Sequence, residues 1–551
     1  MIIQVKVLGV GSINLENKIS LLDLSKKLYK DHKRYLGARI NNQIYNLSTY
    51  VENGMEVEFL DNRDVDGYRI YTKTISAIFI MACKELYPEA KVSIEHFLGP
   101  GLYVKLNKPF SIRFTKLKEI EKKMWEIIRE DYEIKRDVYS KNEAINIFGE
   151  YGYLDKIRLF NSIDKETVSI YKINNHIDSF HGYLAPSTGY IDKFKLKYYY
   201  PGALIMFPSR KNNYDLNNFL EQKKLAQVFE ESSRWLNILD LSNLGSLNEK
   251  IHSGEINEVI KVSEALHEKK ISQIADEFCA NNDNNIILIA GPSSSGKTTF
   301  AQRLAIQLKV NGKKPIAISL DDYFVNREDT PLNPDGSYDF EALEAVDLEL
   351  LNMDLLKLIE GQSIELPKFN FLTGKREKSG KVIKVDDNHP IIIEGIHGLN
   401  PKLTYEIPEK HKFKIYISAL TQLNLDSHNR IATTDTRLIR RMVRDVKYRG
   451  NDPLRTFELW SGVRAGEERN IFPYQEEADV MFNSSLVYEM SVLKKYIVPL
   501  LQEIDNSSIY YSEAKKLLRF LEYFVDITDE SVIPTNSILR EFIGGASFNV
   551  H

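Results

Sequence analysis

Cysteine is nearly absent. The chain has Cys83 and Cys279, far apart in sequence. Two thiols cannot build an all-cysteine zinc site, and they imply no disulfide framework. The cytoplasm is the expected compartment. Long apolar runs are missing too, since none approaches the ~20 residues that a membrane helix needs. The opening MIIQVKVLGVGSI has neither a basic n-region nor a small-residue cleavage site. There is no low-complexity tract. Excess charge of one sign is also lacking. A formal net charge of -4 gives no global field toward nucleic acid or anionic membrane, although a local basic patch remains open. What is present is ordinary for a globular protein, with 43% hydrophobic and 27% charged residues. At 551 residues the chain exceeds a single core, so two to four domains are expected.

One stretch organises the rest. Residues 286–308 read IILIAGPSSSGKTTFAQRLAIQL. The apolar run Ile286 to Ala290 reads as a strand buried on both faces of a parallel sheet. Gly291-Pro-Ser-Ser-Ser-Gly296-Lys297-Thr298 then matches GxxxxGK[ST] in full. Phe300, Leu304 and Leu308 share one face of a following helix. Glycines let the backbone wrap a phosphate chain with successive N–H groups pointing inward, and the helix start adds its positive dipole end. The expected nucleotide-binding set is Gly291, Ser293, Ser294, Ser295, Gly296, Lys297, Thr298 and Thr299. Lys297 is expected on the β- and γ-phosphates, and the Thr298 hydroxyl on Mg2+.

Further apolar strands are expected at 315–320, 390–393, 413–417 and 479–482, separated by helical patterns. This is a βαβ series and predicts a doubly wound parallel sheet with ligands at the strands' carboxyl ends. Two of those ends carry acids. Asp321 and Asp322 close the second strand, and Glu394 closes the third. Asp321 is placed to accept a hydroxyl proton beside a γ-phosphate, and Glu394 to organise Mg2+ through water. Asp322 reads as solvent-facing. Downstream, Arg437, Arg440, Arg441 and Arg444 fall on one helix face. Four like charges repel unless they meet anions or acids. The bland reading is a solvated helix paired with acids such as Asp435 and Asp445. The sharper one is a lid that folds over ATP and absorbs charge in transit.

Upstream, 1–61 alternates short β-rich runs around a helix from Leu21 to Tyr29 that Ser20 is placed to cap. This predicts a small β-grasp-like α+β unit. A helical region is expected from about Leu216 to Phe278. The polar run at 281–285 reads as a hinge before the first buried strand. A last amphipathic helix is expected at 507–524. The tail VIPTNSILREFIGGASF has no evident role beyond docking on its own chain.

Several runs resemble known families. ARINNQIYNLSTYVENGMEVEFL resembles the TGS domain of threonyl-tRNA synthetases. TISAIFIMACKELYPEAKVSIEHFLGPGLYVKL and HGYLAPSTGYIDKFKLKYYYPGALI resemble that family's second additional, editing-type domain. In that domain an HxxxH and a CxxxH supply four metal-suited groups. The matching positions here are Lys73, Ala77, Phe180 and Leu184, and none is a normal zinc ligand. No zinc is therefore expected, and His96, His176 and His181 read as scattered surface or core residues. GPSSSGKTT, SLDDYF, YDFEALEAVD, PKFNF, IIIEGIHGL, RRMVRDVKYRG and EEADVMFNSSLVYE resemble the uridine kinase/phosphoribulokinase family in order and spacing.

That resemblance implies a catalytic role for Asp321, a magnesium-linked role for Glu394, and lid and phosphate roles for Arg441, Arg444 and Arg449. The acceptor side departs from the family pattern. Glu341 replaces a ribose-binding aspartate, Phe369 a base-contacting tyrosine, Gly374 a histidine, and Asn451 a further arginine. Phosphate handling is intact while pyrimidine readout is not. The expected division is a TGS-like unit at 1–61, an editing-like unit at 62–230, a helical connector at 231–282 and a kinase unit at 283–551. The expected activity is ATP-dependent, Mg2+-assisted phosphorylation of a small acceptor, a nucleoside 5′-hydroxyl. The rival is a nucleotide-switched regulator that binds RNA or another ligand through its N-terminal units. Self-association is left open.

Overall fold

The computed structural model describes residues 2–106, 112–210, 214–333, 336–370, 373–386 and 388–549. Phe371, within the PKFNF run, lies outside them. The first unit contains β1 (Ile3–Val7), β2 (Gly11–Leu15), α1 (Leu21–Leu28), β3 (Gly37–Ile40), β4 (Gln43–Tyr45) and β5 (Glu56–Leu60). Its sheet runs β2-β1-β5-β3-β4 and packs on α1. Ser20 caps α1 by accepting the Asp23 N–H at 3.0 Å.

The next unit holds α2 (Val65–Leu86), β6 (Val92–Leu98), β7 (Gly101–Leu106), α3 (Phe114–Glu130), β8 (Ile134–Ser140), α4 (Lys141–Glu150) and α5 (Leu154–Asn161). It continues with β9 (Thr167–Ile173), β10 (His176–Asp178), β11 (Lys195–Tyr199) and β12 (Gly202–Met206). One sheet runs β11-β12-β7-β6 and the other β10-β9-β8. Ala77, Phe180 and Leu184 are buried in its apolar core. Lys73 lies over Gly182, where a Cβ would stand 2.5 Å from its Nζ. Burial, then Arg69 and Lys516, lowers the Lys73 pKa to about 7. The three histidines do not converge. His176 faces Glu85 at 3.3 Å, and His181 donates its backbone N–H to Asn429.

Then come α6 (Lys223–Ile238), α7 (Leu244–His252), α8 (Ile256–Cys279), β13 (Ile286–Ala290), α9 (Lys297–Val310) and β14 (Ile316–Ser319). They are followed by α10 (Leu348–Ile359), β15 (Ser363–Asn370), β16 (Lys375–Lys384), β17 (Ile391–Glu394) and β18 (Lys412–Ser418). The chain finishes with α11 (Thr433–Arg444), α12 (Pro453–Asn470), β19 (Val480–Asn483), α13 (Glu489–Gln502), α14 (Tyr511–Leu521) and α15 (Arg540–Ile543). The sheet order is β14-β17-β13-β18-β19, with all pairs parallel. Alternation along β13 sends Ile287 and Ile289 to one core and Ile286 and Leu288 to the other, so both faces are covered.

Two sequence expectations shift here. The helix expected from Leu216 begins at Lys223, because Leu216 pairs its backbone with Pro208. The helices of 231–282 are also more than a connector. Val259, Ile260, Ile271, Ile274 and Phe278 of α8 share one core with β13, α9 and β18, and so do Phe148 and Phe160 of α4 and α5.

The loop between β18 and α11 is seated in the second unit. Ile94 donates its N–H to Ser427 O at 2.8 Å, Ser427 N–H reaches Asp155 at 2.8 Å, and Asn429 Nδ2 reaches Ser179 O at 2.9 Å. Beneath it Lys156, fully buried, lies 3.0 Å from Asp178 and 3.1 Å from Asp426, and His428 Nδ1 lies 2.6 Å from Asp178. Among the described residues no helix is long and apolar enough to cross a membrane.

Candidate active site

The loop between β13 and α9 has the backbone that its glycines predict. Gly296 has φ 80°, and Ser294 takes a left-handed φ of 59° that a side chain tolerates only where its surroundings enforce it. The enforcement comes from α11. Arg437 Nε donates to Ser293 O at 3.0 Å and Arg440 Nη1 to Ser294 O at 3.3 Å. Arg441 Nη1 donates to Ser293 Oγ at 2.9 Å, and Arg444 Nη2 to Ser294 Oγ at 3.2 Å. The solvated-helix reading is therefore overturned, since all four arginines are buried. Of the two acids expected as partners, Asp445 does take Arg441 at 3.1 Å, whereas Asp435 pairs with Lys516 at 2.8 Å. The partners of Arg437 and Arg440 are the buried carboxylates of Glu467 and Glu489. Those two arginines brace the loop. Arg441 and Arg444 keep one amine each on its serine hydroxyls.

Gly291 is required by close approach, because a Cβ there would stand 2.2 Å from the Ile417 carbonyl oxygen. Gly291→Ala is thus expected to weaken ATP binding by at least about tenfold in a nucleotide titration. Gly149→Ala, where a Cβ meets nothing within 4 Å, should leave that affinity unchanged.

Lys297 Nζ folds back onto Gly291 O at 2.9 Å and Pro292 O at 3.4 Å. Burial lowers its pKa against the pull of Glu394, and Arg444 adds to the lowering. Thr298 Oγ1 donates to Glu394 Oε1 at 3.0 Å. A hydroxyl beside a carboxylate is a hard oxygen donor set, which fits Mg2+.

Asp321 lies two residues past the end of β14, and its backbone N–H donates to Ser319 Oγ at 3.3 Å. One side of it opens to solvent. Protein packed around the rest raises its pKa, and so do Glu394 and Asp322, while Lys297 and Arg449 act the other way. Asp321, Glu394, Lys297 and Arg449 thus share one electrostatic neighbourhood. Asp322 does not simply face solvent, since its Oδ1 accepts the Phe369 N–H at 3.3 Å and ties β15 to the site.

Glu341 lies against Gly466, where a Cβ would stand 3.1 Å from its Oε2. Burial raises its pKa, with Lys297 and Arg441 opposing. Phe369, expected as a stacking surface, is 6% exposed and packs edge-on against Phe324 at 5.7 Å. Gly374 has φ 67° in the turn before β16, so a histidine there would be strained. Asn451 donates its N–H to Asp445 O at 3.2 Å, just past a π-helical turn at Asp445–Arg449.

Three contributors escaped sequence reasoning: Glu467, Glu489 and Glu541. Glu467 Oε1 also accepts the Ser293 N–H at 3.0 Å. Each meets its arginine across a long stretch of chain, and no local spacing marks it.

Residues 286–491 match the Phosphoribulokinase / Uridine kinase family and so carry a domain of that family. The N-terminal region is similar to threonine–tRNA ligases. With that of Alkalilimnicola ehrlichii the identity is 31% over 186 residues, which is 33% of this chain and 29% of that one. With that of Clostridium kluyveri it is 30% over 233 residues, or 42% and 35%. The chain therefore spans about a third of the length of these relatives. The structure of a possible uridine kinase from Bacillus stearothermophilus is 19% identical and aligns over 39% of this chain and 98% of its own, with a TM-score of 0.27.

Proposed function

We propose that the protein is an ATP-dependent kinase that transfers the γ-phosphoryl group to a hydroxyl of a small acceptor, a nucleoside 5′-hydroxyl. The observation that carries this reading is the gathering of Asp321, Glu394, Thr298 and Lys297 around one loop, with the Asp321 pKa raised by burial and by Glu394. A nucleotide switch without an acceptor has no use for that carboxylate.

Asp321 accepts the proton of the attacking hydroxyl. Thr298 and Glu394 would hold Mg2+, which would supply positive charge to neutralise the phosphates. Lys297 exchanges its two carbonyl contacts for phosphate oxygens, and Arg441 and Arg444 take up the charge that develops on the transferring group. The charge of Arg449 opposes the rise in the Asp321 pKa and so helps keep it ionised. Glu341 and Asn451 line the acceptor side, where Glu341 is able to accept from a diol. The threonine–tRNA ligase-like region serves as a binding or regulatory module. RNA is the ligand class that its relatives suggest, and no zinc enters this scheme.

ATP consumption by the purified chain, measured with and without nucleosides, other ribosides and sugars, tests this directly. Turnover is expected only with an acceptor. Acceptor-independent hydrolysis, or stimulation by RNA alone, would favour the nucleotide-switched regulator instead.

A further inference from the structure

The family match ends at residue 491, yet the loop at 291–299 touches chain well beyond it. After α14 the chain returns to the back of that loop. Ile533, Ile538, Leu539, Phe542 and Ile543 are buried in the same core as β13 and α9. Ile538 fills the space at Gly296, where a Cβ would stand 2.5 Å from its Cγ2. Ser537 Oγ donates to Glu264 of α8 at 2.5 Å, and Gln302 Nε2 of α9 donates to Asn549 O at 2.7 Å.

The central contact is a carboxylate. Glu541 is 3% exposed. Its Oε2 accepts the Thr299 hydroxyl at 2.7 Å, and its Oε1 accepts Arg444 Nη1 at 3.3 Å. The other amine of Arg444 rests on Ser294 Oγ at 3.2 Å. One side chain therefore bridges the first turn of α9 and the arginine helix α11. Arg444 needs this partner. Burial and the nearby Arg449 push its pKa down to about 10, with Glu541 and Asp445 opposing. Its Nε contact with Asp445 is 3.9 Å long.

We propose that segment 534–549 is an intramolecular strap that sets the geometry of the phosphate-binding loop, and that Glu541 is a positioning residue that aims Arg444 at it. The proposal rests on the kinase reading above for its catalytic readout. Glu541 touches no substrate. It holds Thr299 and Arg444 in register, so that the loop and the charge-absorbing arginine arrive together. A buried carboxylate with two donors on two elements fixes their spacing, and removing it leaves a buried guanidinium poorly matched.

The test uses the full chain in four forms: wild type, Glu541→Gln, Arg444→Ala and the double variant. Mg-ATP affinity is measured by titration, and kcat and KM for ATP by transfer to the acceptor found in the panel. Glu541→Gln is expected to cost about 100-fold in kcat/KM for ATP, the scale of a small misplacement of catalytic groups. In the Arg444→Ala background the same change should cost less than about threefold, because its target is already gone. Glu541→Asp keeps the charge but shortens its reach to Thr299 and Arg444, and should move the same parameters the same way by a smaller factor. It carries the test if Glu541→Gln does not fold. Full additivity of the two single changes would overturn the proposal. So would a lowered thermal midpoint with kcat, KM and Mg-ATP affinity all at wild-type values. If the wild type binds Mg-ATP but phosphorylates no acceptor, the kinase reading fails alone. The strap is then judged on Mg-ATP affinity, where weakening by Glu541→Gln supports it and wild-type affinity overturns it.

Discussion

Replacing Asp321 by asparagine is expected to reduce phosphoryl transfer by about 10³-fold or more while leaving Mg-ATP affinity near wild type. A positioned general base contributes about 10²–10⁴ to rate. An amide at Asp321 keeps the shape and removes the proton acceptor. A second consequence separates this variant from a merely damaged one. The Asp321 pKa is raised above its ordinary 3.8, first by burial and then by Glu394 and Asp322. Such a carboxyl disfavours the folded state wherever it is ionised there, and the penalty disappears below the unfolded pKa. Asp321→Asn should therefore raise the denaturation midpoint at pH 7, with the gain shrinking toward zero as pH falls through 3.8. Thermal melts and single-turnover transfer across pH 3.5 to 8 check both parts. Full transfer activity in the variant would remove Asp321 from the mechanism.

Lys156→Met should be the most damaging change remote from the site. Burial opposes charge on Lys156, but Asp178, Asp426 and Asp155 outweigh it and raise its pKa. Asp178 shows the mirror image. Burial raises its pKa, but His428 and Lys156 hold it well below the usual carboxylate range. The lysine's raised pKa stabilises the fold below its ordinary 10.5, and the aspartate's depressed one stabilises it above 3.8, so both contributions are present at neutral pH. Removing one partner of a buried pair costs about 3–5 kcal/mol, because the other charges stay buried. The urea midpoint of Lys156→Met should fall accordingly at pH 7 and recover partly as acid protonates the stranded carboxylates. Adding Asp426→Asn should restore most of the loss. An unfolding free energy within about 0.5 kcal/mol of wild type would mean that the cluster adds nothing at this seam.

The strand–loop–helix of 286–310 was readable because its information is local: a five-residue apolar run, fixed glycines and a helical stripe. The remaining strands of that sheet fell within about two residues of expectation for the same reason. The small N-terminal unit and the cap at Ser20 were also local. Elsewhere, local pattern and spatial partner came apart. Four arginines on one face were visible, and so was Asp445, which takes Arg441 at 3.1 Å, but the acids that meet the other three lie 30, 49 and 97 residues onward in Glu467, Glu489 and Glu541. His428 and Asp178 are 250 residues apart. Leu216 had helical spacing and went to a backbone bridge. Phe369 had the right chemistry to stack on a ligand, but its ring was used for packing on Phe324. Periodicity reports which face of an element is buried, not what buries it.

The Thr299–Glu541 bond joins residues 242 positions apart. Closing so large a loop costs chain entropy that local contacts do not repay, so contacts of this kind form late. A refolding chain can build β13 and α9 early and still lack a competent phosphate cradle. Nucleotide then binds only the finished state and stabilises it by mass action. The appearance of ATP binding during refolding thus serves as a clock for the arrival of residue 541, and ATP should slow unfolding more than it speeds folding.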